Sequence, residues 1–415
     1  MRDLENWLEG IVRVLRVPLG IVECRNYVLP LVFLKRVSDV FEDGRVGFHV
    51  PEGARWESIK RQNGNLGEYL NNALRELTQE NPELEGVIDR VDFRAVDEYR
   101  LREVINRLDQ RRLGFYDVEP DIMGRVYEFL LRETSGGSWR NLGEFYTPEE
   151  VADVLVRLLD PEPGMEVYDP SCGSGRLLIK CYQYFKYEQS AVPPLHLYGQ
   201  EISHTAYAIA KMNVVMYGIQ NAHIKLGDTL QDPAFKEEDG SLKKFDLVIA
   251  NPPWNQRGYT EEFYRSDPYK RFEFGVPPKE SADWGWLQHI YASLKDNGRA
   301  AVVFDAGSVS RNNIREKEIR KRFVDSDIIS AVILLPENLF YNTTAPSVII
   351  VIDKDKKAKG EVLLIDASQF YQREGRKNRL TKEGIEKIVE VYRKWVGKRS
   401  FTKTNTHKAE ADASS

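Results

Sequence analysis

The chain has 415 residues, of which 42% are hydrophobic and 30% are charged, with a formal net charge of −5. This length predicts two to three domains, and the apolar fraction is sufficient for a large core. The mixed charge shows no global basic excess, which argues against autonomous DNA binding but leaves room for a local basic cleft or a partner that provides the contacts.

Three cysteines, Cys24, Cys172 and Cys181, lack the spacing of a metal site, so no bound metal is expected. An odd, sparse cysteine count is typical of a reducing cytoplasm, which is the predicted location. The sequence shows no N-terminal signal segment and no run of about 18 or more apolar residues, so neither a membrane span nor a membrane partner is expected.

Residues 1–135 are predicted to form an all-helical domain, because apolar side chains recur there at three- and four-residue spacing. The pattern is clearest in four segments, 4–15, 27–41, 66–77 and 99–108. Nothing in this region matches a catalytic pattern, so we interpret it as a helical scaffold. The small, polar stretch 134–138 predicts a flexible joint at its end.

Between residues 140 and 395 the pattern changes to alternating strands and helices. This alternation predicts a doubly wound, mostly parallel α/β sheet. Short loops between the last strands, including a charged hairpin loop at 354–360, predict an antiparallel edge. The predicted strands are 166–169, 195–201, 223–226, 245–250, 299–304, 328–335, 347–353 and 361–365, and the predicted helices include 175–187, 205–217, 286–294, 314–323 and 381–395. The polar tail 396–415 is predicted to be disordered.

The segment Glu144–Pro148, with the sequence Glu-Phe-Tyr-Thr-Pro, precedes the first helix of this domain. Thr147 is placed to cap that helix, with Pro148 at its first position. Glu150 follows three residues after Thr147, which completes the pattern of a capping box.

A glycine-rich turn, Asp169–Arg176, joins the first predicted strand to its helix. Gly173 and Gly175 allow the backbone to approach a ligand closely, and the helix N-terminus offers free N–H groups. The turn has no Walker lysine, which argues against a phosphate-binding loop. A glycine-rich turn alone is weak evidence, so the acids on the next two strands decide its interpretation.

Glu201 ends the second predicted strand, and Asp228 follows the third. An acid at the tip of the second strand is in position to bind a ribose diol, and an acid after the third can accept from an adenine amino group. Taken singly, each acid could equally be a helix cap. Together with Asp169 they favour a nucleoside cofactor that carries a positive sulfonium.

Asn251-Pro-Pro-Trp254 follows the buried strand 245–250 at once. An exocyclic amino nitrogen is a poor nucleophile, and the Asn251 side-chain oxygen and the Pro252 carbonyl could accept its two hydrogens, with Pro253 adding rigidity. Trp254 offers a face on which an extruded base could stack, typically worth ~1–3 kcal/mol. The alternative is a proline-rich strand exit with a core tryptophan. Cysteine-dependent base methylation is not supported, because the sequence has no Pro-Cys pair.

The stretch 257–281 interleaves aromatic and basic side chains, which is typical of a loop that contacts nucleic acid. A structural insertion packed on the sheet explains the same composition equally well.

In this order the motifs resemble the modification subunit of type I restriction–modification systems, a family of N6-adenine DNA methyltransferases. The resemblance covers roughly residues 1–395 and is carried by Glu144–Pro148, Asp169–Gly175, Gln200–Ile202, Gly227–Leu230, Ala250–Trp254, Trp286–His289 and Asn378–Thr381. It implies a seven-stranded, Rossmann-like methyltransferase sheet and methyl transfer to adenine N6 in double-stranded DNA, which protects host DNA.

The resemblance also implies S-adenosylmethionine as the cofactor. Glu144, Phe145, Tyr146, Thr147 and Pro148 would close over it. The loop with Asp169, Gly173, Ser174 and Gly175 would hold its methionine moiety, Glu201 its ribose and Asp228 its adenine. Asn251, Pro252, Pro253 and Trp254 would form the catalytic tip. The implied partners are a specificity subunit, with two modification subunits for each, and a restriction subunit that can join.

Two departures from the family pattern concern these motifs. Arg176 stands where a small residue is usual, and Trp254 replaces the commoner Phe or Tyr. Two other functions remain open on the residues alone: methylation of a protein glutamine, whose amide nitrogen poses the same chemical problem, and a non-catalytic assembly role. The large helical domain argues against the first, and the intact acids with Asn251 argue against the second.

Overall fold

The structure, a computed structural model, describes residues 2–44, 49–88, 91–114, 116–118, 126, 129, 147–188, 195–217, 219, 221–340, 343–375 and 377–398. Three predictions concern residues outside these ranges. They are the joint at 134–138 with the domain boundary beside it, the predicted site residues Glu144, Phe145 and Tyr146, and all but the first three residues of the tail 396–415.

Twelve α-helices are assigned within the described ranges. They are α1 (Arg2–Glu42), α2 (Trp56–Lys60), α3 (Leu66–Glu80), α4 (Glu98–Asp109), α5 (Glu149–Leu159), α6 (Arg176–Glu188), α7 (His204–Met216), α8 (Glu261–Arg265), α9 (Asp283–Ala292), α10 (Gly307–Ser310), α11 (Ile314–Asp325) and α12 (Lys382–Lys398). Nine of them follow predicted helical segments, whereas α2, α8 and α10 lie where no helix was predicted. None of the helices that the structure describes has both the length and the apolar character needed to cross a bilayer.

The described residues form two compact units. The first draws on residues 1–144, 172–179 and 201–226, and the second on 145–171, 180–200 and 227–415. In the first unit the apolar faces of α1 to α4 share one core, which confirms the helical prediction where the chain is described. Gly20, at φ +77°, breaks α1 into two helical stretches, because this conformation is outside the helical region. Ile209 and Met212 of α7 belong to the same core.

Eight strands form one mixed sheet in the order β3-β2-β1-β4-β5-β7-β6-β8. They are β1 (Glu166–Asp169), β2 (His196–Glu201), β3 (Ala222–Leu226), β4 (Phe245–Ala250), β5 (Leu294–Asp305), β6 (Ile329–Leu334), β7 (Ser347–Asp353) and β8 (Leu363–Asp366). A separate antiparallel pair is formed by β9 (Tyr371–Glu374) and β10 (Lys377–Leu380).

The central strands are parallel, and β7 pairs antiparallel with both β5 and β6. The predicted fold class, a mostly parallel α/β sheet with antiparallel pairing towards one edge, is therefore confirmed. The sheet has the eight strands that the sequence pattern predicted, where the family resemblance implied seven. The predicted hairpin at 354–360 is wrong. The strand after this loop, β8, pairs in parallel with β6 and not with β7.

Residues 296–298 lie within an irregular part of β5. Phe245 is paired with Leu294 and Leu247 with Arg299, so the residues between Leu294 and Arg299 bulge from the ladder. A Cβ at Gly298 would lie 3.0 Å from backbone atoms of Lys295 and Phe245, which explains the need for glycine. Beyond the bulge, residues 299–305 run beside β4 towards the end that carries Asn251.

Candidate functional site

The strand β4 lies between β1 and β5 and is buried along almost its whole length. Asn251 and Pro252 follow immediately and are also buried. Prolines cannot donate to a strand ladder, so the chain leaves the sheet here, as predicted. The tip therefore follows a buried central strand of the sheet, at the carboxyl edge of its parallel strands.

The Asn251 amide is held at both ends. Its Nδ2 donates to Thr147 Oγ1 at 3.1 Å, and its Oδ1 accepts from Trp254 Nε1 at 3.0 Å. Only 6% of Asn251 and 6% of Thr147 are exposed. These hydrogen bonds fix a side chain whose direction sequence reasoning could not give.

The prediction that Thr147 caps a helix is wrong. The N-cap of α5 is Pro148, with φ −53° and ψ 145°, and no side chain caps this helix end. The extended ψ of Pro148 starts the helix at Glu149, one residue later than predicted, and the Thr147 hydroxyl is used by Asn251 instead. Burial raises the pKa of the Glu150 carboxyl, the expected second half of the capping box.

Trp254 is 8% exposed, so its indole is mostly enclosed. Its Nε1 also donates to the Val303 carbonyl at 3.2 Å, and its ring packs against Phe340 with a centroid distance of 4.8 Å at 67°. The stacking of a base on Trp254 stays a prediction. In the arrangement described, the polar edge of the indole, rather than an open face, is directed at Asn251.

Asp169 and Asp228 belong to the second unit and each organises a turn. Asp169 is almost fully buried, and its Oδ1 accepts from the Ser171 backbone N–H at 3.0 Å. Asp228 Oδ1 accepts from the Leu230 N–H at 3.0 Å, and both carboxylate oxygens lie 3.1 Å from the Tyr259 hydroxyl. Burial, followed by the charge of Asp228, raises the pKa of Tyr259, so this phenol stays protonated and donates.

The glycine turn and Glu201 belong to the first unit. Gly173 and Gly175 have φ of +54° and +77°, a region that glycine adopts without strain, as expected for this turn. Glu201 Oε2 accepts from the Gly173 N–H at 2.8 Å, and Oε1 accepts from the Ser203 N–H at 2.7 Å. The carboxylate therefore ties the glycine turn to the end of β2.

Two residues beside these motifs, Asn213 and Ser203, were not identified from the sequence, and a third, Ile202, was identified only as part of a motif. Asn213 is buried and donates from Nδ2 to the Ser174 carbonyl at 2.9 Å. Ser203 caps α7 through its side chain. Ile202, next to Glu201, is 58% exposed and provides an apolar surface beside the acid. Only Ile202 had a signal in the sequence, as an isolated apolar residue after a strand-end acid.

The segment 257–281 is packed more tightly than a free loop. Tyr259, Tyr264 and Phe272 are buried, and the Tyr264 and Phe272 rings meet edge to face at 4.8 Å. This supports the structural interpretation for the aromatic residues. The basic residues Arg265 and Lys270 are exposed, so a contact with nucleic acid through them stays a prediction.

Arg271 ties this segment to the turn that contains Asp228. Its guanidinium pairs with Asp267 at 2.7 Å, donates to the carbonyls of Thr229 and Leu230, and lies 3.2 Å from His289 Nδ1. Burial, followed by the Arg271 charge, lowers the pKa of His289 well below its usual range, so this histidine is neutral. We interpret His289 as a structural residue.

The thiols of Cys172 and Cys181 are buried. Burial raises the pKa of Cys181, which disfavours the thiolate. Within the described ranges, no group of three or more His, Cys, Asp or Glu side chains is arranged to bind a metal ion.

Two family models match the chain. The model described as N-6 DNA methylase matches residues 118–412, and the model described as the HsdM N-terminal domain matches residues 4–108. Together they include both the helical region and the sheet with its motifs.

Curated relatives are methylase subunits. The MjaVII type I restriction enzyme methylase subunit of Methanocaldococcus jannaschii is 36% identical over 368 residues, which cover 84% of this chain and 61% of that protein. The HindI type I restriction enzyme methylase subunit of Haemophilus influenzae is 30% identical over 370 residues, covering 83% of this chain and 82% of that protein. This chain thus spans about three fifths of the Methanocaldococcus protein.

Solved structures have the same architecture. The type I restriction–modification system methyltransferase subunit from Streptococcus thermophilus superposes with a TM-score of 0.79 at 25% identity, covering 95% of this chain and 93% of that chain. A chain from a structure of the type I restriction–modification system gives a TM-score of 0.66 at 22% identity, covering 96% and 84%, and shows likeness of fold.

Proposed function

Because this chain belongs to the N-6 DNA methylase family, among the type I restriction enzyme methylase subunits, we propose that it methylates adenine N6 in double-stranded DNA. One observation carries the proposal: a buried asparagine amide at the carboxyl end of β4, oriented by hydrogen bonds at both ends. The family match argues against the two other functions, a protein-glutamine methyltransferase and a non-catalytic assembly subunit.

The chemical task of the tip is to make an amino nitrogen nucleophilic. The nitrogen lone pair is delocalised into the adenine ring, and two acceptors placed on the amino hydrogens draw the nitrogen towards a tetrahedral geometry. Asn251 Oδ1 has two lone pairs, of which the Trp254 indole uses one. The second is left for one amino hydrogen, and the Pro252 carbonyl is proposed to accept the other. A base inside a duplex cannot reach a buried amide, so the adenine must be flipped out.

We propose S-adenosylmethionine as the cofactor, and the residues present fit it. When bound, it supplies an electrophilic methyl group on a sulfonium. A Cβ at Gly173 would meet no atom within 4 Å, so the backbone there is open to a close ligand. Glu201 accepts from the backbone N–H groups of Gly173 and Ser203, and we propose that this carboxylate also accepts from the ribose hydroxyls. Ile202 offers an apolar surface to the base.

The remaining cofactor assignments follow the sequence motifs. Asp169, with Ser174 and Gly175, is proposed to hold the methionine moiety, and Asp228 to accept from the adenine amino group. Thr147 and Pro148 are the described part of the segment proposed to close over the cofactor. Its other residues, Glu144, Phe145 and Tyr146, lie outside the described ranges.

Replacement of Tyr259 by phenylalanine tests the assignment of Asp228. The Tyr259 hydroxyl donates to both carboxylate oxygens, so its loss leaves the carboxylate less firmly placed. We expect the Kd for S-adenosylmethionine to rise about 10-fold, the equivalent of one hydrogen bond to a charged group at roughly 1.5 kcal/mol. Isothermal titration calorimetry measures this change.

Tyr291→Phe is the matched control, because Tyr291 is half-buried and its ring packs against Phe274 at 5.2 Å. Its Kd is expected to equal that of the wild type. If Tyr259→Phe also leaves the Kd unchanged, the hydroxyl has no part in placing Asp228 for the cofactor.

We propose that a specificity subunit selects the DNA site, with two copies of this chain for each, and that a restriction subunit can join the assembly. The net charge of −5 supports a partner that supplies much of the DNA contact. The names of the relatives, which describe methylase subunits, also support an assembly.

The purified chain alone is therefore expected to methylate DNA slowly and without sequence selectivity. Addition of the cognate specificity subunit should produce N6-methyladenine at a split, bipartite site, read by methylation-sensitive sequencing. Efficient, site-specific methylation by the lone chain would show that recognition is built into it. Methylation of protein glutamine in place of DNA would contradict the proposed substrate.

A further inference from the structure

An asparagine amide activates an amino group only when its oxygen faces the substrate. The oxygen and the nitrogen of the amide have nearly the same shape, and rotation by half a turn exchanges an acceptor for a donor. A donor presented to the amino hydrogens would repel them. The catalytic tip therefore needs a contact that fixes the orientation of the Asn251 amide.

The indole N–H of Trp254 provides such a contact. An indole N–H can only donate, so the atom it meets at 3.0 Å must be the oxygen Oδ1 of Asn251. In the flipped amide, N–H would face N–H inside an enclosed site, since Asn251 and Trp254 are both buried. The indole is itself held, because the Val303 carbonyl on β5 accepts from the same Nε1 at 3.2 Å.

Thr147 acts on the opposite end. Its Oγ1 accepts from Asn251 Nδ2 at 3.1 Å, which satisfies one of the two amide N–H groups. Thr147 and Trp254 are 107 positions apart in sequence and reach the amide from different elements, so the two contacts are independent. Together they leave one lone pair on Oδ1 for a substrate hydrogen.

We propose that Trp254 and Thr147 are positioning residues that lock the Asn251 amide with its oxygen as the available acceptor. This inference rests on the proposed function of the tip. In this proposal Trp254 acts through its indole N–H, which orients Asn251. Stacking on a base would need only the face of an aromatic ring. Phenylalanine at this position keeps an aromatic ring beside Phe340 and loses the lock.

The test uses this chain with its specificity subunit, cognate duplex DNA and S-adenosylmethionine, in single-turnover experiments. Trp254→Phe and Thr147→Val are each expected to lower kcat about 10- to 100-fold, the range for a misplaced reacting group. Both should leave the Kd for DNA within about twofold, and Trp254→Phe should also leave the Kd for the cofactor within about twofold, since each residue acts on the reaction through Asn251. Thr147→Ser, which keeps the hydroxyl, should restore most of the rate.

Trp284→Phe is the matched control. Trp284 is equally buried, and its Nε1 donates to the Ser308 carbonyl at 3.1 Å, away from Asn251. This variant loses a buried indole N–H without affecting the tip, so its kcat is expected to stay near wild type. Melting temperatures of all variants separate loss of the lock from loss of the fold.

The most discriminating comparison uses Asn251→Asp. The two oxygens of a carboxylate are equivalent, so rotation of this side chain by half a turn still presents an acceptor. In an Asn251→Asp background, Trp254→Phe should lower kcat less than about twofold further. An equal loss of kcat on Trp254→Phe substitution in the wild-type and Asn251→Asp backgrounds would contradict the proposed positioning role. A wild-type kcat for folded Trp254→Phe would contradict it as well. If Trp254→Phe raises the Kd for DNA and leaves kcat unchanged, Trp254 stacks on the base and does not position Asn251. Failure of the wild-type assembly to methylate adenine would contradict the proposed function instead.

Discussion

Replacement of Asn251 by alanine is expected to abolish DNA methylation while leaving S-adenosylmethionine binding largely intact. The variant removes the acceptor Oδ1 and leaves the Trp254 N–H and the Thr147 hydroxyl without their shared partner. Loss of one preorganised hydrogen-bonding group of this kind typically lowers kcat by about 100- to 1,000-fold. Single-turnover methylation in the presence of the specificity subunit measures the rate, and calorimetry measures cofactor binding.

Two further variants make this result specific. Asn251→Asp keeps an acceptor oxygen and should retain a measurable part of the activity, ranking between the wild type and Asn251→Ala. Asn72→Ala removes an exposed amide in α3, where it accepts from Arg75, and should have wild-type activity. Methylation at the wild-type rate by Asn251→Ala would refute the mechanism, because no other group of the tip offers the same acceptor.

The parts of the fold that sequence could predict are those with a local signal. The run 245–250 is apolar at nearly every position, and this identifies a strand covered on both faces. Asn251 and the two prolines then mark its end, since prolines interrupt the ladder. The glycine turn was predictable for a similar reason, because the positive φ at Gly173 and Gly175 needs glycine.

The errors came from partners that are distant in sequence. Thr147 has the composition of a helix cap, but its hydroxyl bonds to an amide 104 positions away. The loop at 354–360 has the composition of a hairpin, but β8 finds its neighbour in β6 rather than in the strand before it. Local propensity carries no information about which distant strand or side chain competes for these groups.

Trp254 shows the same limit at the candidate site. The motif predicted an aromatic face beside Asn251, but it could not predict that the Val303 carbonyl and Phe340 enclose the indole. In the same way, the interleaved aromatics of 257–281 could be read as a nucleic-acid contact, whereas Tyr259 is directed at Asp228. Residue type thus identified which side chains matter, and the fold determined which of their atoms act.

Glu201→Ala is expected to weaken S-adenosylmethionine binding strongly. We infer that the carboxylate accepts from both ribose hydroxyls in addition to the backbone N–H groups of Gly173 and Ser203. Two hydrogen bonds at roughly 1.5 kcal/mol each correspond to about a 100-fold rise in Kd. Isothermal titration calorimetry with the full chain measures this change, and Asp169→Ala should shift the Kd in the same direction.

The difficulty with Glu201→Ala is that the same carboxylate orders the glycine turn, so binding could fall because the turn is lost. Glu201→Gln separates the two roles: it keeps one acceptor oxygen for the turn, loses the negative charge, and should give an intermediate Kd. Glu162→Ala removes an exposed acid from the loop before β1 and serves as the control with unchanged Kd. If Glu201→Ala melts at the wild-type temperature and binds cofactor with the wild-type Kd, the carboxylate takes no part in binding the ribose.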